Sequence, residues 1–337
     1  MRILVCEFVT GGGMPPDQPI PASLAREGDL MLRALLGDLA EVPGVELVVT
    51  RDARLAPLPP GVHSITVRHP AESWALWGDL ARTVDAVWPI APETGGALER
   101  FSRLAEAAGC RALNSRADAV AVTASKAATA AALSAAGLPA VPARRVENTR
   151  EPPGDGPWIV KPDDGAGCTD TRLLRDRTEW ARWRIGADRT GFVVQPFIPG
   201  APASLSMLCR DGRAWLLSVN RQHVTMSGSA LVYRGGVVGG LPATPELSGL
   251  AQRIAAALPG LFGYVGVDFI AACDGPAILE VNPRLTTSYA GLRRATGLNV
   301  AAAVLGLADD PPIAPPPPER IEPVTLNLEA LEWEAVL

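Results

Sequence analysis

The sequence predicts an α/β domain followed by a larger α+β region. In the first third of the chain, short apolar runs alternate with helical patterns, which is typical of a parallel sheet covered by helices. The later two thirds contain runs with period-two alternation separated by Gly, Pro and Asp, which indicate antiparallel strands. A length of 337 residues is sufficient for two or three domains with cores of their own.

Composition narrows the classes of function. The formal net charge is −5, and Lys and Arg form no run, which argues against a nucleic-acid partner. No apolar stretch reaches the length of a transmembrane helix, so we expect no membrane partner. The five cysteines are scattered without a pair at metal-binding spacing, a pattern that fits reduced thiols and predicts a cytoplasmic location.

The first third of the chain contains four predicted strands and two predicted helices. The strands are expected at residues 2–8, 45–50, 63–68 and 86–90, and the helices at residues 23–40 and 97–109. Leu24 begins the predicted buried stripe of the first helix. The glycine run at residues 10–13 admits a second interpretation, the phosphate loop of a nicotinamide-dependent oxidoreductase, although the spacing G-x-G-x-x-G is missing.

Two glutamates follow predicted strands in this part of the chain. Glu7 comes after the first strand and Glu93 after the fourth. Ligands of open α/β sheets gather at the carboxyl ends of strands, so both side chains are expected to face one cleft and bind a substrate amine. The alternative is that Glu93 caps the helix that follows, where its charge suits the helix dipole.

The middle of the chain contains two lysines in different settings. Lys126 lies within a predicted helix over residues 117–136, whereas Lys161 ends a predicted strand over residues 158–162. A glycine-containing loop at residues 163–169 follows Lys161. Such a loop indicates phosphate binding, because glycine lets backbone N–H groups approach a phosphate closely. An ordinary hairpin turn is the alternative.

Further elements are predicted towards the C-terminus. Extended segments are expected at residues 140–146, 191–198, 204–209 and 214–219, and helices at residues 246–258 and 298–307. Prolines at residues 311–318 predict a stiff linker. The tail at residues 320–337 has apolar residues but shows no clear element.

Residues 263–284 form the most informative local pattern, a predicted β-hairpin. A three-residue loop at residues 273–275 would place Asp268 opposite Glu280, and alternation adds Asn282 to the same face. Three neighbouring oxygen-bearing side chains suit Mg²⁺ that also holds the phosphates of a nucleotide. A solvated face of an antiparallel hairpin is the alternative.

Two features of the hairpin favour the metal site over a solvated face. Gly266 is expected to leave open space beside Asp268, and Arg284 places a cation next to the acids at the end of the strand. The opposite face of the hairpin is expected to be sealed by four apolar residues, namely Val267, Phe269, Leu279 and Val281.

Taken together, these motifs resemble those of the ATP-grasp superfamily. They follow the superfamily's order over residues 117–297, and they comprise Lys126, segment 160–162 with its glycine loop, segment 194–200, Asp268 and segment 280–284. The resemblance implies an ATP-grasp fold with an N-terminal Rossmann-like (pre-ATP-grasp) α/β domain. The implied domains are an N-terminal α/β domain at 1–116, an N-lobe at 117–190, a C-lobe at 191–310 and a tail at 311–337.

The resemblance also implies which residues bind ATP. It assigns Lys126 and Lys161 to the nucleotide phosphates. It places Gln195 and the backbone of Phe197 and Ile198 at the adenine.

One expected nucleotide contact departs from the superfamily pattern. Pro202 stands where the superfamily often has a carboxylate that binds the ribose, and Ser204 is the candidate substitute. The metal ligands implied by the resemblance are the same as those argued from the hairpin. They are Asp268, Glu280 and Asn282, and they would bind Mg²⁺ or Mn²⁺.

Within the superfamily, segments 7–13, 91–93 and 195–200 resemble the tyramine–glutamate ligase group. The resemblance implies an ADP-forming ligase that activates the γ-carboxylate of glutamate as an acyl phosphate and joins it to an amine such as tyramine or tyrosine, in the synthesis of methanofuran-type cofactors. Arg284 and Arg221 would stabilise the acyl phosphate and its tetrahedral successor.

Other functions stay open at this stage. They are an ATP-grasp ligase that joins glutamate to a pterin or a peptide, the oxidoreductase built on the glycine run, and an inert ATP sensor. The expected partners are small-molecule substrates, glutamate and an amine. The oligomeric state is left open, with a homodimer as one alternative.

Overall fold

A computed structural model describes residues 1–59, 62–149, 151–165, 167–185, 187–318 and 320–328. The predicted fold class is confirmed, because a parallel sheet with helices precedes a large antiparallel sheet. Across the described residues, no helix is both long and apolar enough to cross a membrane.

The N-terminal domain is built on a parallel sheet. Its strands are β1 (Arg2–Glu7), β2 (Glu46–Asp52), β3 (His63–Val67), β4 (Ala86–Ile90) and β5 (Arg111–Ala112). Its helices are α1 (Ala22–Ala40), α2 (Ser73–Ala81) and α3 (Ala97–Ala108), of which α2 was not predicted. The strand order is β3-β2-β1-β4-β5. The four central residues of β1 are apolar because helices cover both faces of such a sheet, and these residues, Ile3, Leu4, Val5 and Cys6, are fully buried.

The rest of the described chain forms one large antiparallel sheet with helices packed on it. Its strands are β6 (Arg144–Arg145), β7 (Trp158–Pro162), β8 (Arg172–Leu174), β9 (Phe192–Pro196), β10 (Ala201–Arg210), β11 (Arg213–Ser227), β12 (Ala230–Leu241), β13 (Gly263–Ala272), β14 (Gly275–Asn282) and β15 (Val324–Asn327). Its helices are α4 (Ala117–Thr123), α5 (Lys126–Ala135), α6 (Arg177–Arg184), α7 (Pro245–Ala257), α8 (Tyr289–Thr296) and α9 (Val300–Leu307).

The order of this sheet joins two lobes across a central cavity. The strands run β14-β13-β10-β11-β12-β8-β7-β9-β6, with β15 paired to β12. Among the described residues, two bridges link the lobes: Ala230 of β12 pairs with Arg172 of β8, and Ala140 pairs with Ile278 of β14. β9 pairs with β7 and β6, so the pairing favours a boundary between the lobes after Pro196 rather than at residue 190. The other domain bounds stay predictions.

The predicted helix over residues 117–136 is interrupted, and the interruption places Lys126. Ser125 has an extended backbone, and its hydroxyl accepts the N–H of Ala128 at 3.1 Å, which caps a new helix. Lys126 is therefore the first residue of α5 instead of a surface residue within a longer helix. Its side chain is buried.

The tail and the first helix also differ from the sequence predictions. Residues 324–327 form β15 on the edge of β12, although no element was predicted there; residues 319 and 329–337 lie outside the described part. Leu24 is 42% exposed, so the buried stripe of α1 does not begin there. The buried positions start at Gly28, and α1 packs through them against β1 and, further along, against α8 and α9.

Candidate active site

A cavity of about 230 Å³ lies between the two lobes of the antiparallel sheet. Ten of the thirteen residues predicted for the site line it. Glu7, Glu93 and Arg221 are the three that do not. Within the described part of the chain, the wall also includes Glu27, Gln222 and Tyr233, which were not predicted.

The register of the β13–β14 hairpin sets up one wall of the cavity. Asp268 faces Glu280 as predicted, but the loop has two residues rather than three, because Ala272 pairs with Gly275. A bulge opposite Asp268 and Phe269 contains Leu279 as the extra residue and restores the register. Because of this bulge, the expectation that Leu279 lies on the sealed apolar face is wrong. Leu279 lines the cavity, and Ile278 is buried in the core beside Phe269 in its place.

Asp268, Glu280 and Asn282, which we call the acid set, lie together on this wall. The carboxylate of Asp268 accepts the side-chain N–H of Gln222 at 2.7 Å and that of Asn282 at 3.2 Å. Burial and the charge of Glu280 raise the pKa of Asp268 above its usual range. Burial acts in the same direction on Glu280, but the ammonium groups of Lys126 and Lys161 outweigh it and lower its pKa.

The chemistry of the acid set fits a hard divalent cation. Two partly buried carboxylates at opposed ladder positions repel each other, and a cation would let both ionise. Asn282 donates through its nitrogen, and none of the described hydrogen bonds engages its amide oxygen, which leaves a third oxygen donor. Among the described residues, no group of three or more His, Cys, Asp and Glu side chains is placed to hold a metal, and the acid set itself has two carboxylates and one amide. The metal assignment stays a prediction.

Gly266 plays a different part from the one expected. A methyl group at this position would collide with the side chain of Thr286, at 2.7 Å from its methyl carbon. The expectation of open space beside Asp268 is therefore wrong, since the missing side chain is needed for packing against Thr286. Gly266 instead allows the segment after β14 to approach the hairpin, and this segment carries Arg284.

Two buried lysines face the acid set. The ammonium nitrogen of Lys126 lies 3.3 Å from a carboxylate oxygen of Glu280, and that of Lys161 lies 3.8 Å from the same oxygen. Lys126 also donates to the carbonyl oxygen of Gly165 at 2.5 Å. Burial lowers the pKa of Lys161, although the charge of Glu280 opposes the effect. Two cations that share one anion leave positive charge available for a phosphate.

The glycine-containing loop at residues 163–169 is held at its start by several contacts. The Asp163 carboxylate accepts the Ser125 hydroxyl at 2.8 Å and the Ala127 N–H at 2.9 Å, and it pairs with Arg145 at 3.0 Å. The next residue, Asp164, contacts the N-terminal domain: its carbonyl accepts the Thr94 hydroxyl at 2.8 Å. The later residues Gly167, Cys168 and Thr169 line the cavity.

The segment that follows β9 forms the opposite end of the cavity. Gln195 is buried, and its side chain donates to the carbonyl oxygen of Val141 at 3.2 Å. The N–H of Phe197 donates to the carbonyl oxygen of Pro157 at 2.9 Å, so this N–H is not available to an adenine. No hydrogen bond among the described residues engages the N–H of Ile198, which leaves that group for a ligand.

Ser204 lies beside the acid set. Its Cα pairs across the ladder with that of Asp268, and its hydroxyl accepts the side-chain N–H of Asn220 at 3.2 Å. Its role as a substitute for the ribose carboxylate stays a prediction, but its ladder partner places it beside Asp268 rather than beside Gln195.

Arg284 connects this wall to the N-terminal domain. Its Nε donates to the Glu93 carboxylate at 3.0 Å, and one terminal nitrogen donates to the carbonyl oxygen of Leu285 at 3.0 Å. Guanidinium carries five N–H donors, so three are left for a substrate. Glu93 makes no side-chain hydrogen bond that caps the following helix. Its carboxylate pairs with Arg284 instead, and it does not line the cavity in which a substrate amine would bind.

Glu7 and Arg221 lie away from the cavity. The Glu7 carboxylate is buried against Gly28 and accepts the N–H of Thr10 at 2.5 Å, so the prediction that it faces a cleft with Glu93 is wrong. Burial raises the pKa of Glu7 to about 7. Arg221 is exposed on β11, and the neighbouring Gln222 faces the acid set instead.

The glycine run at residues 10–13 does not form a phosphate loop. Gly11 packs against the backbone of Glu7 and the side chain of Thr50, and Gly13 packs against Phe8. These glycines therefore serve the packing of the loop against its own domain, and the cavity lies elsewhere, between the lobes of the antiparallel sheet. The structure gives the oxidoreductase interpretation no support.

Comparison with known proteins gives two family matches. A model described as an ATP-grasp domain matches residues 123–288, and one described as a pre ATP-grasp 3 domain matches residues 45–120. Tyramine–L-glutamate ligase from Methanocaldococcus jannaschii is 36% identical over 103 residues, which are 30% of this chain and 32% of that protein. A protein named probable alpha-L-glutamate ligase, from Xylella fastidiosa, is 30% identical over 155 residues, or 45% of this chain and 50% of that protein.

Solved structures resemble nearly the whole chain. An ATP-grasp superfamily protein from Archaeoglobus fulgidus has a TM-score of 0.70 at 23% identity, with 96% of this chain and 91% of that chain covered. N5-carboxyaminoimidazole synthetase from Staphylococcus aureus, crystallised with ADP, has a TM-score of 0.72 at 15% identity, with 96% and 80% covered. At these identities the likeness establishes the fold alone. The matches to the curated relatives span about a third to a half of their lengths.

Proposed function

Since the chain belongs to the ATP-grasp superfamily, we propose that it is an ATP-dependent, ADP-forming ligase that joins a carboxylate to an amine. The observation that supports this most is the grouping of Lys126 and Lys161, the acid set and Arg284 in one cavity. Phosphoryl transfer requires positioned positive charge rather than a covalent protein nucleophile, and this grouping supplies it.

The residues around Glu280 bind the phosphates of ATP. Lys126 and Lys161 each approach Glu280 closely, and the phosphates compete for the same ammonium groups. The acid set would hold Mg²⁺, which would supply positive charge against the negative charge that develops during transfer. Gln195 and the N–H of Ile198 lie at the adenine end of the cavity.

The reaction proceeds in two steps. The carboxylate of the first substrate attacks the γ-phosphorus of ATP, and ADP leaves from an acyl phosphate. The amine then attacks the acyl carbon, a C–N bond forms, and the C–O bond to phosphate breaks with its electron pair on the phosphate. The three N–H donors of Arg284 that the protein leaves unused stabilise the anionic acyl group. The loop at residues 163–169 excludes water from the intermediate.

Glutamate and an aromatic amine are the substrates we propose. This choice is supported by the tyramine–L-glutamate ligase of M. jannaschii, whose name states both substrates. The second candidate is a ligase that joins glutamate to a peptide or a pterin. The relative from X. fastidiosa supports it, because its name states that glutamate is ligated. Both candidates need the same first step and differ in the acceptor.

The test is ADP release by the purified protein with ATP, Mg²⁺ and L-glutamate, with tyramine, tyrosine and a glutamyl peptide added one at a time. We expect slow ADP formation with glutamate alone and a marked increase with the true acceptor. Glutamate labelled with ¹⁸O in its γ-carboxylate should transfer one label to the released phosphate. No ADP above the ATP-only rate with any combination would refute the ligase, and unlabelled phosphate would exclude the acyl phosphate.

A further inference from the structure

Glu27 of α1 is a carboxylate in the cavity that the proposed reaction has not used. Among the described residues that line the cavity, it is the only one from the N-terminal domain. Its side chain is only partly exposed, and no hydrogen bond or ion pair within the described part of the chain engages its carboxylate. Burial raises the pKa of Glu27, and the charge of Arg284 opposes the effect.

Negative charge is in excess around Glu27. The charge of Arg284 acts on Glu27, but Arg284 already forms an ion pair with Glu93 at 3.0 Å. Arg284 is therefore near two carboxylates but paired with only one of them, Glu93, whereas two lysines are paired with the single carboxylate of Glu280. An anion without a partner in a partly buried position is costly, and a bound cation would offset that cost.

The neighbours of Glu27 suit an organic cation. Tyr233 lines the same part of the cavity, and the charge of Glu27 is among the causes that raise the pKa of its phenol. The Tyr233 hydroxyl lies 3.3 Å from that of Thr287. An aromatic ring and hydroxyl groups beside a carboxylate are the surroundings in which proteins bind an alkylammonium group.

We propose that Glu27 binds the primary ammonium group of a substrate and so selects for cationic substrates at this end of the cavity. This inference rests on the proposed ligase function and adds a residue that determines its specificity. Glu27, Glu280 and Arg284 line the same cavity, and the charges of both carboxylates act on Arg284. An acyl group held by Arg284 would therefore have Glu27 as well as Glu280 in its neighbourhood.

Two substrates of such a ligase carry a primary ammonium group. One source is the α-ammonium of the amino acid that is activated, and the other is the ammonium of the acceptor amine. The experiment separates them through two Michaelis constants, that for glutamate in ADP formation without amine and that for the amine at saturating glutamate. Glutarate, which lacks the ammonium group, serves as the matched probe for glutamate.

The test variant is Glu27→Gln, which keeps the shape and removes the charge. We expect one of the two Michaelis constants to rise about ten- to hundredfold, the usual effect of losing a hydrogen bond to a charged group, while that for ATP stays unchanged. If glutamate is the ligand, the preference for glutamate over glutarate disappears as well. Glu27→Asp retains the charge and should restore part of the affinity, which distinguishes binding from a role in packing.

The matched control is Glu41→Gln, which removes the same charge at the far end of α1. Glu41 pairs on the surface with Arg293 and lies about 20 Å from Glu27 along the helix, so its loss should leave all three constants unchanged. If the wild type turns over and Glu27→Gln keeps both substrate constants, the inference is overturned and the ligase stands. If the wild type forms no ADP with any acid and amine, the ligase itself is refuted.

Discussion

Replacing Glu280 by Gln removes the anion that two buried lysines share. The carboxylate oxygen lies 3.3 Å from the Lys126 nitrogen and 3.8 Å from the Lys161 nitrogen. The side chains of Lys126, Lys161 and Glu280 are 7%, 10% and 19% exposed, so water screens these pairs only partly. The substitution therefore disturbs both the stability of the free protein and the binding of phosphates and metal.

The magnitude follows from these distances. At an effective dielectric constant of about 20, the two attractions amount to about 5 and about 4 kcal/mol before the cost of desolvation. Removing one partner of a buried ion pair typically costs about 3–5 kcal/mol, because the remaining charge stays without a partner. Glu280→Gln should thus lower the free energy of unfolding by about 3 kcal/mol. Turnover should fall at least about a thousandfold, since the variant also loses a proposed metal ligand.

Two measurements check this prediction. Chemical denaturation gives the free energy of unfolding, and ADP release at saturating Mg²⁺ gives the turnover. ATP without metal should restore part of the lost stability, because its phosphates replace the missing anion beside Lys126 and Lys161. A variant that is folded by circular dichroism and turns over like the wild type would refute the assignment of Glu280. Asp118→Asn, which breaks an exposed ion pair with Arg116, is the control and should change neither quantity much.

Three further predictions concern other parts of the site. Arg284→Lys retains the charge but loses the planar fork, so turnover should fall at least tenfold while the dissociation constant for ATP changes little; equal losses in both would contradict a role at the acyl group. Amide exchange at Gly167, Cys168 and Thr169 should slow when an ATP analogue and Mg²⁺ are added, because these residues line the cavity; identical exchange would exclude a closing loop. Burial raises the pKa of Glu7 to about 7 in the folded protein, so the folded state favours the neutral carboxyl group. The contribution of Glu7 to the free energy of unfolding is therefore highest at or below about pH 4.5 and falls as the pH rises to 7, because the carboxyl group ionises more readily in the unfolded chain. Between pH 5 and pH 8, the free energy of unfolding of the wild type should therefore fall by up to about 3 kcal/mol relative to that of Glu7→Gln. Parallel pH profiles of the two proteins would contradict the burial argument.

The sequence is most informative where the structure depends on local patterns. The hairpin at residues 263–284 and the strand that carries Lys161 were predicted from alternation and turn residues, and the structure places their acids and lysine together. Even there, the pairing of Asp268 with Glu280 arises from a two-residue loop and a bulge. A bulge has no reliable sequence signature, so the side on which Leu279 lies could not be predicted.

The residues that were misplaced depend on contacts between distant elements. β11 has irregular pairing with β12 on both sides of Arg221, which shifts the alternation and turns Gln222 towards the acid set. Glu7 is covered by Gly28 of α1, a contact between segments that periodicity does not relate. Glu27 did leave one signal, since it lies four residues before the buried Met31 and hence on the edge of the buried face of α1.

Besides Glu27 in the cavity wall, one short segment of the N-terminal domain, residues 93–95, contacts both Arg284 and the loop at residues 163–169. Glu93 holds Arg284, and the next two residues, Thr94 and Gly95, hold the loop residue Asp164 through its carbonyl and carboxylate oxygens. These contacts come from three consecutive residues, so the loop that begins with Asp163 and the partner of Arg284 are attached to the same short segment of the N-terminal domain. If the loop closes over a bound nucleotide as proposed, we therefore expect the closure to shift Glu93 and with it the position of Arg284.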